Sequence, residues 1–129
     1  MLPFTVTLRP GLSVHEQVVF AVKRAIVSGR LKPGDEFPSV RALSKELRIN
    51  PNTAHKAVAT LVGETMLEVR PGIGTFVAGR GGSTAEERRA LLREDVERLV
   101  VDARHLGLDT KDVVDAVIEH WNRLDRPVR

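Results

Sequence analysis

The stretch that decides the fold is residues 39–61, SVRALSKELRINPNTAHKAVATL, in which two helical patterns meet at a proline. Asn50 can cap the second helix, and Pro51 falls in its first turn, where a missing N–H costs nothing. The proline therefore starts one helix where another ends, with a joint of about three residues, as in a helix-turn-helix. Apolar residues recur at helical spacing on both sides, at Val40, Leu43, Leu47, Ala54, Val58 and Leu61.

The flanking segments predict a winged version of this motif. Upstream, the alternating residues 4–8 (FTVTL) predict a short strand, and Ser13 predicts the start of a first helix that ends near Gly29. Downstream, residues 67–70 (LEVR) and 75–78 (TFVA) predict two strands joined by a glycine-rich turn. The order helix, helix, tight turn, helix, hairpin is that of a winged helix-turn-helix.

A helical tail follows this domain. Residues 80–82 (RGG) predict a flexible boundary, and Ser83 with Glu86 predicts a capping box that opens a long helix ending at Gly107. A last helix starts at Asp109 or Thr110. We therefore expect a mainly helical α+β chain, with a DNA-binding domain at residues 1–79 and a dimerisation tail at residues 80–129.

The apolar stripes of the tail predict a partner for it. One helical hairpin has little to bury these stripes against, so we expect two tails to form a four-helix cluster in a homodimer. Packing of the tail onto its own head is the alternative. The expected dimerisation residues are Leu92, Val96, Leu99, Val113, Val117 and Trp121.

Composition excludes several classes of protein. The 129 residues contain no cysteine, so disulfides and thiolate metal sites are excluded, and the four histidines lack metal-binding spacing. No apolar run approaches the ~20 residues that span a bilayer, and the N-terminus does not resemble a signal peptide. We expect a cytoplasmic protein with no cofactor, no metal, no membrane partner and no enzymatic activity, since catalytic and nucleotide-binding signatures are missing.

Charge favours nucleic acid as the partner of the first domain. Residues 1–79 hold ten Lys and Arg against six Asp and Glu, a net charge of +4, whereas residues 80–129 have a net charge of −1. In a winged helix-turn-helix the start of the third helix enters the major groove of double-stranded DNA. The residues that we expect to contact DNA are Arg41, Lys45, Arg48, Asn50, Asn52, Thr53, His55 and Lys56, with Arg70 and Gly72 in the wing.

Other interpretations of these residues remain open at this stage. Asn50 and Thr53 could simply cap and solvate the helix, and the wing could be an ordinary tight hairpin. The domain as a whole could be a protein-interaction module that binds no specific DNA. Such a module would show weak salt dependence, whereas DNA binding weakens steeply with salt through counterion release.

Four segments resemble the GntR family of bacterial transcription regulators. They are residues 29–35 (GRLKPGD), 38–41 (PSVR), 50–53 (NPNT) and 72–77 (GIGTFV), within a similarity that covers about residues 13–78. The NPNT segment is similar to the YtrA-like subfamily, whose short helical tail serves dimerisation. Thr65 departs from the family pattern, since glycine commonly ends the third helix there.

The resemblance also implies a function. Arg41, Asn52, Thr53 and His55 occupy positions at which family members contact DNA, and residues 70–72 correspond to the wing. The family pattern implies a homodimeric repressor on an inverted-repeat operator, which in the YtrA-like subfamily often controls an ABC-type transport operon. The sequence does not identify a small-molecule effector.

Overall fold

The computed structural model describes residues 2–79 and 83–125, which fall into two compact units. We call residues 2–79 the head and residues 83–125 the tail. The flexible boundary predicted at residues 80–82 lies outside the described residues. Within the described ranges, no helix is both long and apolar enough to cross a membrane.

The head is a winged helix-turn-helix, as the sequence predicts. Its sheet is antiparallel with the order β1-β3-β2, so the hairpin β2–β3 is extended at one edge by the short strand β1. The helices are α1 (Val14–Val27), α2 (Val40–Leu47) and α3 (Pro51–Gly63), and the strands are β1 (Glu36–Phe37), β2 (Leu67–Arg70) and β3 (Gly74–Val77).

One hydrophobic core holds the three helices of the head against the sheet. Its largest fully buried side chains come from every part of the head, namely Leu31, Leu43, Leu61, Leu67, Val18, Val22 and Val77. A hydrogen bond of 2.9 Å between His15 Nε2 and Thr60 Oγ1 also ties α1 to α3. The core therefore fixes α3, and with it the surface that α3 presents.

The strand predicted at residues 4–8 is wrong. This segment forms no strand in the structure, although Phe4 is buried and stacks on Phe37 with ring centroids 5.6 Å apart. The place beside β3 is taken by β1, whose Glu36 and Phe37 pair with Phe76 and Thr75. The alternating pattern thus directs apolar side chains inward without any ladder of backbone hydrogen bonds.

The tail consists of helical segments with small departures from the prediction. They are α4 (Ala85–Ala90), a π-helical segment (Leu91–Asp95), α5 (Val96–His105) and α6 (Thr110–Asp125). The capping box predicted at Ser83 and Glu86 is one residue later, at Thr84 and Glu87. The predicted long helix does end at Gly107, which has a positive φ of 79°.

The apolar stripes of the tail are largely uncovered. Among the described tail residues only Ala103 is buried, and Val117 and Trp121 are 47% and 70% exposed. Two apolar grooves, of about 770 Å³ and 520 Å³, lie along α5 and α6. Both grooves are lined by Leu99, Ala103, Leu108, Val113 and Val117, so they flank a shared line of apolar side chains.

Candidate nucleic-acid interface

The turn between α2 and α3 is held by local hydrogen bonds. Arg48 adopts the left-handed conformation with φ 53° and ψ 49°, which reverses the chain at the end of α2. The N–H of Ile49 donates to the carbonyl of Ser44 at 3.1 Å, and the hydroxyl of Ser44 donates to the carbonyl of Ile49 at 2.8 Å. These two bonds satisfy the buried polar groups of the turn and fix the angle at which α3 starts.

Asn50 caps α3, as predicted. Its Oδ1 accepts a hydrogen bond of 2.8 Å from the N–H of Asn52, and Pro51 occupies the first turn. The carbonyl of Asn50 accepts from the N–H of Ala54 and so begins the helical ladder. A helix start of this kind presents backbone N–H groups and the positive end of the helix dipole, both of which favour phosphate.

The outer face of α3 carries polar side chains at its start and a small side chain further along. Asn52, His55, Lys56 and Ala59 are exposed, and their spacing of three, four and seven residues places them on one face. Thr53 is half-buried at the edge of this face. Sequence reasoning missed Ala59, whose helical spacing from Asn52 would have indicated it.

The second helix contributes cations to the same motif. Arg41 and Lys45 are both exposed and lie one helical turn apart on α2, and Arg48 is exposed in the turn that follows. The short turn brings these side chains and the start of α3 into one compact motif. Of the predicted DNA-binding residues, eight thus belong to α2, α3 or their connection.

The two wing residues lie on the hairpin. Gly72 has a φ of 76°, a conformation that glycine adopts without strain, and the neighbouring Ile73 is 72% exposed at the tip. Arg70 ends β2, where its guanidinium donates a hydrogen bond of 2.9 Å to Glu68 and lies 4.1 Å from the centre of the Phe76 ring. Sequence reasoning missed Glu68 and Phe76 as neighbours of Arg70. The spacing of two residues along a strand could have indicated Glu68.

No group of three or more histidine, aspartate or glutamate side chains in the described ranges is arranged to hold a metal ion.

The amino-acid sequence of this chain is similar to those of known proteins. Residues 14–77 match the gntR family of bacterial regulatory proteins. The HTH-type transcriptional repressor YtrA of Bacillus subtilis is 30% identical over 112 residues, which cover 86% of each chain. The chain belongs to the GntR family. Because 112 residues exceed the length of the head, the likeness to a YtrA-type member extends into the tail.

Solved structures of other proteins share this fold. A transcriptional antiterminator from Listeria monocytogenes superposes with a TM-score of 0.85 at 25% identity, covering 98% of this chain and 96% of that chain. The DNA-binding domain of AraR, solved in complex with operator ORX1, has a TM-score of 0.50 at 28% identity and covers 57% of this chain and 95% of its own. The prediction of a DNA-binding transcription regulator, rather than an enzyme, is therefore confirmed at the level of the family.

Proposed function

We propose that this GntR-family chain is a cytoplasmic homodimeric repressor that binds an inverted-repeat operator. Residues 1–79 form the DNA-binding domain of each copy, and residues 80–129 form the dimerisation tail. The observation that carries the proposal is the exposed polar face at the start of α3, held behind a rigid turn and flanked by the cations of α2. The likeness to the AraR DNA-binding domain, which was solved in complex with operator ORX1, supports DNA as the partner.

The side chains of the motif divide into two roles. Asn52, Thr53 and His55 are placed to reach base edges, because short polar side chains in the first turn of a recognition helix face the groove. The phosphate backbone is contacted by four cations and by two backbone groups, and Arg70 contacts DNA from the wing. The cations are Arg41, Lys45, Arg48 and Lys56, and the backbone groups are those of Asn50 and Gly72. Ala59 leaves room on the same face and suits contact with a thymine methyl group.

The tail supplies the two-fold symmetry that an inverted repeat requires. Its two apolar grooves are lined by Leu99, Val113 and Val117, and Val96 and Trp121 each line one groove. Leu92 extends the exposed stripe towards α4. A second tail could bury both grooves at once, which supports a four-helix cluster across a two-fold axis.

Repression follows from occupation of promoter DNA. The YtrA-like character of the chain leads us to propose a transport operon, of the ABC type, as the regulated target. An effector would act by changing the spacing of the two heads in the dimer. Recovery of bound fragments from the source genome would return the operator and the target together.

The first test measures DNA binding against salt. We expect affinity for a selected operator to fall steeply between 50 and 200 mM salt, by about 10³-fold or more for six or more phosphate contacts. The variant Lys56→Ala should reduce the slope of log K against log salt by about 0.9, since one phosphate contact is lost. Lys32→Ala removes an exposed cation from the turn before β1 and is the matched control. Flat salt dependence and no selectivity among DNA fragments would favour the protein-interaction module instead.

The second test separates base reading from phosphate contact. Asn52→Ala should weaken operator binding by about fivefold or more, because a base contact contributes about 1–3 kcal/mol, and leave binding to random duplexes nearly unchanged. Asn122→Ala, an exposed asparagine on α6, is the control for the substitution itself. Equal losses on operator and random DNA would assign Asn52 to the backbone.

A further inference from the structure

The outer face of the wing sheet carries one arginine, Arg70, and two carboxylates. Glu68 on β2 and Glu36 on β1 are both cross-strand partners of Phe76 on the central strand β3, so the three side chains form one row. Arg70 is two residues after Glu68 and therefore lies on the same face. A Cβ built at Gly74 would lie 3.9 Å from Glu36 Oε1 and 3.8 Å from the Phe76 ring, which places the Glu36 carboxylate beside this cluster.

Arg70 is engaged within the sheet and does not extend from the tip of the wing. Its Nη2 donates to Glu68 Oε1 at 2.9 Å, and its Cζ lies 4.1 Å from the centre of the Phe76 ring. Glu68 and Phe76 pair further from the turn than Arg70 and Gly74 do, so the guanidinium is directed back along the hairpin. Both partners of the ion pair remain about half exposed, at 47% and 48%.

We propose that Glu68 restrains the DNA affinity of the wing by holding Arg70 until a sufficiently strong anionic site displaces the carboxylate. This inference rests on the proposed function, because it concerns a head that binds DNA. Glu68 is a positioning residue here, since it acts on DNA through Arg70.

The physical reason is a competition between two anions for one guanidinium. An exposed ion pair is weak, so the negative potential of a suitable DNA site is enough to replace it. A narrow minor groove has a more negative potential than mixed-sequence DNA and attracts arginine side chains. Displacement of Glu68 subtracts the same free energy at every site that Arg70 engages, and at an ordinary phosphate this cost largely cancels the gain. The wing therefore adds affinity at matching DNA and little elsewhere.

The test compares two exposed ion pairs of the same head. Glu68→Gln frees Arg70, whereas the control Glu64→Gln removes the same charge from the pair of Lys23 and Glu64, at 3.3 Å and with similar exposure. Affinities of the full-length chain are measured for the operator and for random duplexes across a series of KCl concentrations. We expect Glu68→Gln to tighten binding to the operator about two- to fivefold, because the cost of breaking an exposed ion pair is removed, and binding to random duplexes by no more than that. The salt slope on random DNA should steepen by at most about 0.9, and Glu64→Gln should change both affinities by less than twofold.

A double variant decides whether Glu68 acts through Arg70. In the Arg70→Ala background, Glu68→Gln should no longer tighten operator binding beyond the effect of Glu64→Gln. The proposal is overturned if Glu68→Gln matches Glu64→Gln, if it weakens binding, or if its effect on operator affinity persists without Arg70. Wild-type protein that selects no DNA at all would instead overturn the proposed function, so the two failures are distinguishable.

Discussion

The head and the tail both carry apolar side chains at helical spacing, but only the head buries most of them in a core. In the head the stripes of α1, α2 and α3 meet one another and the sheet, and residues such as Leu43 and Leu61 are fully buried. In the tail the side chains of Leu99, Val117 and Trp121 stay substantially exposed. The difference shows that periodicity predicts which side of a helix is apolar, but not whether that side is buried.

The largest expected effect tests the closed core of the head. Leu61→Ala should lower the free energy of unfolding by about 2–5 kcal/mol, because it removes a fully buried side chain from a packed site. Leu12→Ala changes a leucine of the same head that is 56% exposed, and we expect less than about 0.5 kcal/mol. Hydrogen exchange of head amides measures both changes without involving the tail. Similar losses in the two variants would remove the contrast between covered and uncovered apolar residues.

The next effect tests the open face of the tail. Val117→Asp should raise the dissociation constant of the dimer about 100-fold, which corresponds to about 2.7 kcal/mol, since a carboxylate would be buried without a partner. Val101→Asp is the matched control, because Val101 is 59% exposed and lines neither groove. Analytical ultracentrifugation over a range of concentrations gives the two constants. A monomeric wild-type chain, or equal weakening by both variants, would contradict the tail dimer.

The smallest effect concerns how each region ends a helix. The tail uses Gly107 at a positive φ of 79°, whereas the head places Thr65, a β-branched residue, at a φ of 62° after α3. Thr65→Gly should raise the stability of the head by about 1 kcal/mol through relief of this backbone strain.

The converse substitution, Gly107→Thr, should lower the stability of the tail by a similar amount, about 1 kcal/mol. Urea denaturation followed by the fluorescence of Trp121, the only tryptophan, reports the tail, and hydrogen exchange reports the head. Loss of stability in Thr65→Gly would indicate that the hydrogen bond from the Thr65 hydroxyl to the Glu64 carbonyl, at 2.6 Å, outweighs the strain.

Two sequence predictions failed for reasons that are physically distinct. Residues 83–87 contain both Ser83 with Glu86 and Thr84 with Glu87, so two capping boxes fit the same local pattern, and the structure adopts the second. Residues 4–8 alternate as a strand does, but a strand also needs a pairing partner, and this segment pairs with no strand of the β1-β3-β2 sheet. The first prediction failed because two capping patterns overlap in the local sequence. The second failed because strand formation depends on a pairing partner that is distant in the chain.

By itself, the sequence determined the elements whose causes are local. Asn50 and Pro51 specify the start of α3, Gly107 ends the helix before α6, and the apolar spacing specifies which faces are apolar. These features depend on caps, on allowed backbone angles and on side-chain period, all of which act within a few residues. Only the tertiary structure decided that β1 completes the sheet and that Arg70 lies between Phe76 and Glu68. Those contacts join segments by packing and strand register, which no local pattern encodes.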